Sequence, residues 1–398
     1  MVDDPDVAPS FRLHSARPAK RNWLLLPFLS LLTACVVILI AEIFSRQIFF
    51  ESKTSSLSCM ILDDAATGVR AIPNSVCWQK INEGPAVEYS FNECGHRTNL
   101  SCRSKAPNTF RIVSIGASIS EGFGVAYDQT FAARLPIDLS LLTGRNYELY
   151  NEALEWGGPQ TVDIRFADAL SAKPDLILWA IHPLDLQMQL LPWWITQPQE
   201  NAKPPTPQSA WDRLLNAYRE KPILLLIQRL WKRILDSLNE TSTMLLLQHL
   251  FYSSESQYVR NYLQNENADF LTKESPSWKP YWQQFDHVME HITIQARKAE
   301  IPLVVAVIPQ RAQAILISTG AWPRGVDPFA FGDEVKSIAE RHGAIYLDSL
   351  SGFREIANPG RLYFPVDGHL NATGQAVVAK LLANKLTDGT VPMFMRAP

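Results

Sequence analysis

Beyond residue 110 the chain alternates between two hydrophobic patterns. Short apolar runs at 110–115, 147–150, 176–180, 303–308 and 344–347 are interleaved with longer segments at 130–142, 161–172, 281–299, 329–341 and 372–386. The short runs are predominantly apolar, as strands buried on both faces are; the longer ones carry an apolar stripe at helical spacing. Strand and helix in alternation predict a parallel sheet with helices on both faces, a flavodoxin-like doubly wound α/β sandwich. Such sheets bind ligands outside the carboxyl ends of their strands, so the residues just after each strand are the first candidates for chemistry. No internal repeat interrupts the pattern.

Three regions depart from it. Residues 186–280 form an insertion between the third and fourth strands, opening with the Pro-rich loop 192–207. It continues with helices that hold the apolar residues 223–227, Leu230, Trp231, Ile234, Leu235 and 244–247. This predicts a helical cap on the sheet edge. A second reading is that Trp193, Trp194 and Trp231, with Arg229, Lys232 and Arg233, touch a bilayer surface or a membrane partner. Residues 46–105 read as an irregular, turn-rich stalk. Upstream, residues 23–41 carry no charge, are broken only by Pro27, Ser30 and Thr33, and extend past Glu42 with Ile43 and Phe44. That length spans a bilayer. The expected organisation is a tail at 1–22, a transmembrane anchor at 23–45, the stalk at 46–105, and an α/β domain at 106–390 that contains the insertion.

Charge sets the orientation. Arg12, Arg17, Lys20 and Arg21 precede the apolar stretch, whereas only Arg46 and Lys53 follow closely. The positive-inside bias then puts the N-terminus in the cytoplasm and everything after Arg46 outside. A cleaved secretory signal is the rival reading, although the apolar run exceeds an ordinary signal core and no small-x-small site follows. The run from Leu32 to Cys35 also resembles a lipoprotein processing site, but apolar residues continue to Ile40 where a polar tether would be needed. With 398 residues, 46% of them hydrophobic, and a formal net charge of -3, the chain can bury a full core. It also lacks the basic surface a nucleic-acid partner requires.

Of five cysteines, Cys35 lies in the apolar segment, while Cys59, Cys77, Cys94 and Cys102 cluster just beyond it. In an oxidising compartment an even number suggests disulfides, and sequence-local pairing favours Cys59 with Cys77 and Cys94 with Cys102. Free thiols or metal ligation is the alternative, without the paired CxxC spacing of a zinc site.

Two motifs carry chemistry. Directly after the first strand, Gly116-Ala117-Ser118-Ile119-Ser120-Glu121-Gly122 puts a serine on a tight strand-to-helix turn, a geometry that exposes a nucleophile. Near the C-terminus, Phe364-Pro365-Val366-Asp367-Gly368-His369 leads through Asn371 into the last helix. Asp367 and His369, two apart on an extended segment, share a side. Asp367 can therefore accept the Nδ1 proton while Nε2 faces Ser118. Asn371 reads as an ordinary helix cap, which explains neither the aspartate nor the histidine.

These blocks, in this order at the two ends of a five-strand pattern, resemble the SGNH/GDSL esterase superfamily over residues 85–390, most of the insertion excepted. The resemblance implies a serine triad of Ser118, His369 and Asp367, an acyl-enzyme, and no metal or organic cofactor. The superfamily usually spaces its acid three residues before the histidine, where this chain has Val366. Members that move acetyl groups on extracellular polysaccharides also use the two-residue spacing found here. The oxyanion hole is expected from the backbone of Ser118, from Gly157 or Gly158 in a shifted glycine block, and from a side chain after the third strand. There the superfamily's Asn is replaced by Leu184, leaving His182 as substitute donor, and Ala117 replaces an Asp that braces the nucleophile loop.

The implied function is deacylation, foremost deacetylation, of an envelope or secreted polysaccharide. O-acyl transfer to a sugar hydroxyl is the alternative. A third reading is a weakly catalytic envelope protein that binds glycan or a membrane biosynthetic partner in the same cleft. His287-Val288-Met289-Glu290-His291 has the spacing of an inverted zinc-protease helix. However, Phe285, Val288, Met289, Ile292 and Ala296 define the apolar face and leave both histidines outward, as on a surface helix.

Overall fold

The computed structural model describes residues 25–48, 55–64, 68–102, 105–155, 157–188, 241–265 and 268–394. Its centre is a five-stranded, all-parallel sheet built from β5 (Thr109–Ile115), β6 (Asn146–Asn151), β7 (Leu176–Ile181), β8 (Leu303–Val307) and β9 (Ile345–Leu347), in the order β6-β5-β7-β8-β9. This is the doubly wound order that the alternating pattern predicts, with a switch point beside β5. Every residue of β7 and β8 is buried, which explains their unbroken apolar runs.

The expected helices stand within two residues of their predicted limits, as α3 (Phe131–Thr143), α4 (Pro159–Ser171), α7 (Lys279–Lys298), α9 (Ala330–Arg341) and α10 (Ala372–Thr387). Capping fixes several ends. Thr130 accepts from the Ala133 N–H at the start of α3, and Asn371 accepts from Thr373 and Gly374 at the start of α10. Helix α8 (Arg311–Thr319) was not foreseen from the pattern. It is nine residues long and buries nearly every side chain from Arg311 to Ile317, so no polar face marks its period.

The insertion contributes α5 (Ser242–Tyr252) and α6 (Glu255–Asn265); α6 packs beside α8, and α5 packs on α6 and α1. Its Pro-rich loop and the residues proposed to touch a bilayer, Trp193, Trp194, Arg229, Trp231, Lys232 and Arg233, lie outside the described residues. So does the tail at 1–22. Helix α1 (Leu25–Ile48) contains the apolar stretch Leu26–Arg46, long and apolar enough to cross a membrane, with its large hydrophobic side chains exposed. Near its end, Glu42 accepts from the backbone N–H groups of Ser242 and Thr243, capping α5.

The reading of residues 46–105 as an irregular stalk is corrected. After α1 they carry two antiparallel hairpins, β1 (Met60–Asp64) with β2 (Gly68–Ala71) and β3 (Val76–Lys80) with β4 (Ala86–Ser90). A small core of Cys59, Met60, Ala71, Cys77, Val87, Tyr89 and Phe91 joins them to Leu154 of the α/β unit. The pattern hid β3 because its inward positions are Cys77 and Gln79, while Val76 and Trp78 face outward. Cys59 pairs with Cys77 and Cys94 with Cys102, the sequence-local arrangement, and Cys35 is free on α1.

Candidate active site

Strand β5 delivers Ser118, the candidate nucleophile. After Ile115 the chain turns at Gly116 (φ +143°), where a Cβ would stand 2.7 Å from Ser120 Oγ and 2.9 Å from the Ala180 carbonyl. Only glycine passes there. The turn opens α2 (Ser118–Glu121), whose first residue is the buried Ser118, and Ser120 Oγ ties the turn to strand β7 by donating to the Ala180 carbonyl. Ala117, where a bracing Asp was expected, leaves that bracing to Ser120 and to Arg97. The fully buried Arg97 lies over the Tyr89 ring and donates to the carbonyls of Glu121, Gly122 and Val125, fixing the far end of α2.

The second arm is a short hairpin between β9 and α10. Phe364 N–H donates to the His369 carbonyl and Gly368 N–H to the Phe364 carbonyl, presenting Asp367 and His369 at its tip. Ser118 Oγ lies 2.8 Å from His369 Nε2, and His369 Nδ1 lies 2.7 Å from Asp367 Oδ1, which also accepts the His369 backbone N–H. The His369 ring rests on Phe123, centroid to centroid 4.6 Å. Removal from water opposes ionisation of Asp367, but the hydrogen bond and charge of His369 outweigh it and hold the carboxyl below its usual range. The three residues singled out by sequence order are thus brought into one hydrogen-bonded line.

Sequence reasoning missed what holds this hairpin. Glu83, on the turn between β3 and β4, has a side chain only 1% exposed. Its Oε2 accepts from the backbone N–H groups of Val366 and Asp367, each at 2.8 Å, and its Oε1 lies 2.7 Å from Nδ1 of His249 on α5. Nothing in the local string Asn82-Glu83-Gly84-Pro85 announces this role. A lone acid in a turn normally faces solvent. Arg311 supports the same hairpin from α8, donating to the Pro365, Gly360 and Tyr252 carbonyls.

Around the oxyanion side, Gly157 packs against the nucleophile turn, where a Cβ would meet the Gly116 carbonyl at 2.6 Å. Its own N–H donates to the Leu154 carbonyl, whereas Gly158 sits at the start of α4. His182 follows β7 and is buried; its Nδ1 accepts the Leu184 N–H, while Nε2 has no partner among the described residues. Burial and the neighbouring His369 push its pKa down to about 3, so the ring is neutral. Asp185 accepts the His182 backbone N–H, and burial raises its carboxyl to about 8. Leu184 is exposed and lines a cavity beside the triad. Away from the site, His287 and His291 face outward on α7, His291 paired with Asp163. Among the described residues no cluster of three His, Cys, Asp or Glu side chains could hold a metal.

No protein-family model matches the chain, and no curated protein sequence does. Solved structures do. TesA is 12% identical, the match covering 70% of this chain and 98% of that one with a TM-score of 0.36. A mutant of Axe2, an acetyl-xylooligosaccharide esterase from Geobacillus Stearmophilus, is 11% identical over 73% and 97%, TM-score 0.38. The psychrotrophic esterase EstA from Pseudoalteromonas sp. is 10% identical over 70% and 96%, TM-score 0.35. At these identities and TM-scores the likenesses carry no argument, and both fold and chemistry are argued from this chain's own residues.

Proposed function

We propose that the chain is a serine ester hydrolase working through an acyl-enzyme on an acetylated polysaccharide outside the cytoplasm. The observation that carries this reading is the hydrogen-bonded line Asp367–His369–Ser118 at the carboxyl edge of the sheet. A serine hydroxyl is too weak an acid to attack an ester unaided at neutral pH. His369 Nε2 takes its proton as Oγ bonds to the carbonyl carbon, while Asp367 holds the ring and stabilises the imidazolium. His369 then returns the proton to the departing sugar oxygen, and a water activated in the same way releases acetate.

The negative oxygen of each tetrahedral intermediate needs donors in place before it forms. Because the Gly157 N–H is used within its turn, the backbone donors are Ser118 and Gly158. His182 supplies the third. With Nδ1 accepting from Leu184, its proton sits on Nε2, and a neutral ring keeps that N–H through the working pH range. Glu83 and Arg97 are positioning residues: they touch neither substrate nor reacting atoms but fix the two loops that do. Helix α1 anchors the chain with residues after Arg46 outside, where disulfides persist.

The test is acetate release by the full chain in detergent from O-acetylated glycans, with and without an unacetylated acceptor. Release that depends on Ser118 supports hydrolysis. Acetyl transfer to the acceptor at the expense of acetate would make the enzyme a transferase using the same acyl-enzyme, and absence of both would leave a glycan-binding protein. A reporter fused after Arg46 tests the topology, and a cytoplasmic reporter would overturn it.

A further inference from the structure

Beside His369 opens a cavity of about 370 Å³ whose floor is the triad hairpin and whose far wall is built by the insertion. That wall carries Tyr252 from α5 and Tyr258, Asn261 and Tyr262 from α6, with Gln310 and Gln187 at the sides. The tyrosines form a contiguous series: the Tyr252 and Tyr258 rings are 5.5 Å apart edge-on, and Tyr258 and Tyr262 lie 5.9 Å apart. Amides lock them in place. Asn261 Nδ2 donates to the Tyr252 hydroxyl and Gln310 Nε2 to the Tyr258 hydroxyl. Behind the wall, the Arg311 guanidinium lies 4.1 Å from the Tyr258 ring centroid, and its N–H groups already serve three carbonyls.

The lining excludes several substrate types by its chemistry. Among the described lining residues the charged groups are Asp367 and His369 of the triad, so no cation waits for a phosphate or carboxylate. A long acyl chain needs continuous apolar surface, whereas here Ile119, Leu184 and Val366 are interrupted by three carboxamides whose burial against hydrocarbon would be costly. One of those amides is already incomplete: among the described residues Gln187 Nε2 has no hydrogen-bond partner and is shielded from solvent, so it meets a ligand by turning into the cavity that its side chain lines. Such an N–H calls for an acceptor oxygen from outside. A ligand with apolar C–H faces, many hydroxyl and ether oxygens and no charge satisfies ring faces and amides together.

We propose that this cavity is a subsite for a neutral glycosyl unit bearing a short acyl ester, with sugar C–H faces against the insertion tyrosines and a sugar oxygen accepting from Gln187 Nε2. The proposal rests on the hydrolase reading for its chemistry, but the subsite itself is a matter of binding. It makes the insertion the specificity element of the enzyme: the sheet edge supplies the triad and α5 and α6 supply the sugar wall.

Two measurements on the full chain in detergent keep the two ideas apart. The first is calorimetric binding of cellotetraose and mannotetraose to Ser118→Ala; the second is kcat/KM of the active chain for their O-acetylated forms, p-nitrophenyl acetate and p-nitrophenyl octanoate. Binding of at least one tetrasaccharide, weakened about tenfold by Gln187→Leu, is expected. So is a kcat/KM for the acetylated sugar that Gln187→Leu lowers about tenfold more than that for p-nitrophenyl acetate. Asn261→Ala reads the same ratio should Gln187→Leu fail to fold. No binding of either sugar, equal losses on both acetates, or preference for the octanoate would overturn the subsite while leaving Ser118 chemistry intact. Sugar binding without any turnover would support the subsite and reject the hydrolase reading instead.

Discussion

The two arms of the site are held in different ways. Ser118 is fixed by the α/β core itself: a glycine-only turn, the close approach of Gly157, and Ser120 bonded to the neighbouring strand. Asp367 and His369 stand on a partly exposed hairpin whose ties come from remote parts of the chain, Glu83 from the disulfide-bonded hairpin unit and Arg311 from α8. The fold therefore preorganises Ser118, the proposed nucleophile, whereas the proposed acid–base arm depends on what has been added to the fold. Glu83 also meets His249 of α5, and α5 is capped by Glu42 of α1, so a continuous set of contacts joins helix α1 to the hairpin that carries His369.

Breaking either arm outright has the largest expected effect. Ser118→Ala or His369→Ala should each lower turnover by about three to six orders of magnitude, because triad members act as a unit. Asp367→Ala should cost less, since it orients the base without entering the proton transfer. Rates on p-nitrophenyl acetate measure this directly. Next in size is His182→Ala, which should lower kcat by about a hundredfold to a thousandfold with little change in KM, as loss of an oxyanion donor does. His182→Asn, which restores a side-chain N–H donor, should recover part of the loss; equal kcat in all three proteins would exclude His182 from the hole.

Glu83 sharpens the contrast between the arms. Glu83→Ala should reduce kcat by about tenfold to a hundredfold through misplacement of the hairpin. Glu83→Gln, whose amide oxygen still accepts both N–H groups, should restore most of it. A drop in thermal stability with kcat preserved in Glu83→Ala would make the residue merely structural.

The smallest expected effect concerns the buried carboxyl behind the nucleophile. Burial raises Glu121 from 4.5 to about 8, with Arg97 working in the opposite direction. A folded-state pKa above the unfolded one gives stability that is full below the unfolded value and lost as pH rises through the folded one. Melting temperature should therefore fall between about pH 5 and 8, and Glu121→Gln should flatten that slope; an unchanged slope would assign it elsewhere. Asp185, raised from 3.8 to about 8 by burial, acts in the same sense and tests additivity.

What the sequence displays follows the same division. The sheet and the members of the hydrogen-bonded line are legible because fully buried strands are continuous apolar runs, and because the segments carrying Ser118 and His369 hold their turn and cap residues locally, as at Gly116 and Asn371. The hairpin unit is not legible, since β3 turns Val76 and Trp78 outward and Gln79 inward, reversing the usual sign of the alternation. Helix α8 is hidden by uniform burial. Glu83, Arg97 and Gln187 act through contacts with residues far along the chain, which no local spacing encodes. Which glycine of the shifted block has its N–H engaged is visible only in the structure, where Gly157 donates to the Leu154 carbonyl.

The central claim is that Ser118 forms the acyl-enzyme with His369 as its base. It is tested most directly by treating the folded full chain with a serine-directed fluorophosphonate and identifying the labelled peptide by mass spectrometry. The account predicts a single adduct on Ser118, formed at least a hundredfold more slowly in His369→Ala, by analogy with the loss of a general base. An adduct on another serine, or labelling of Ser118 at the same rate without His369, would contradict it.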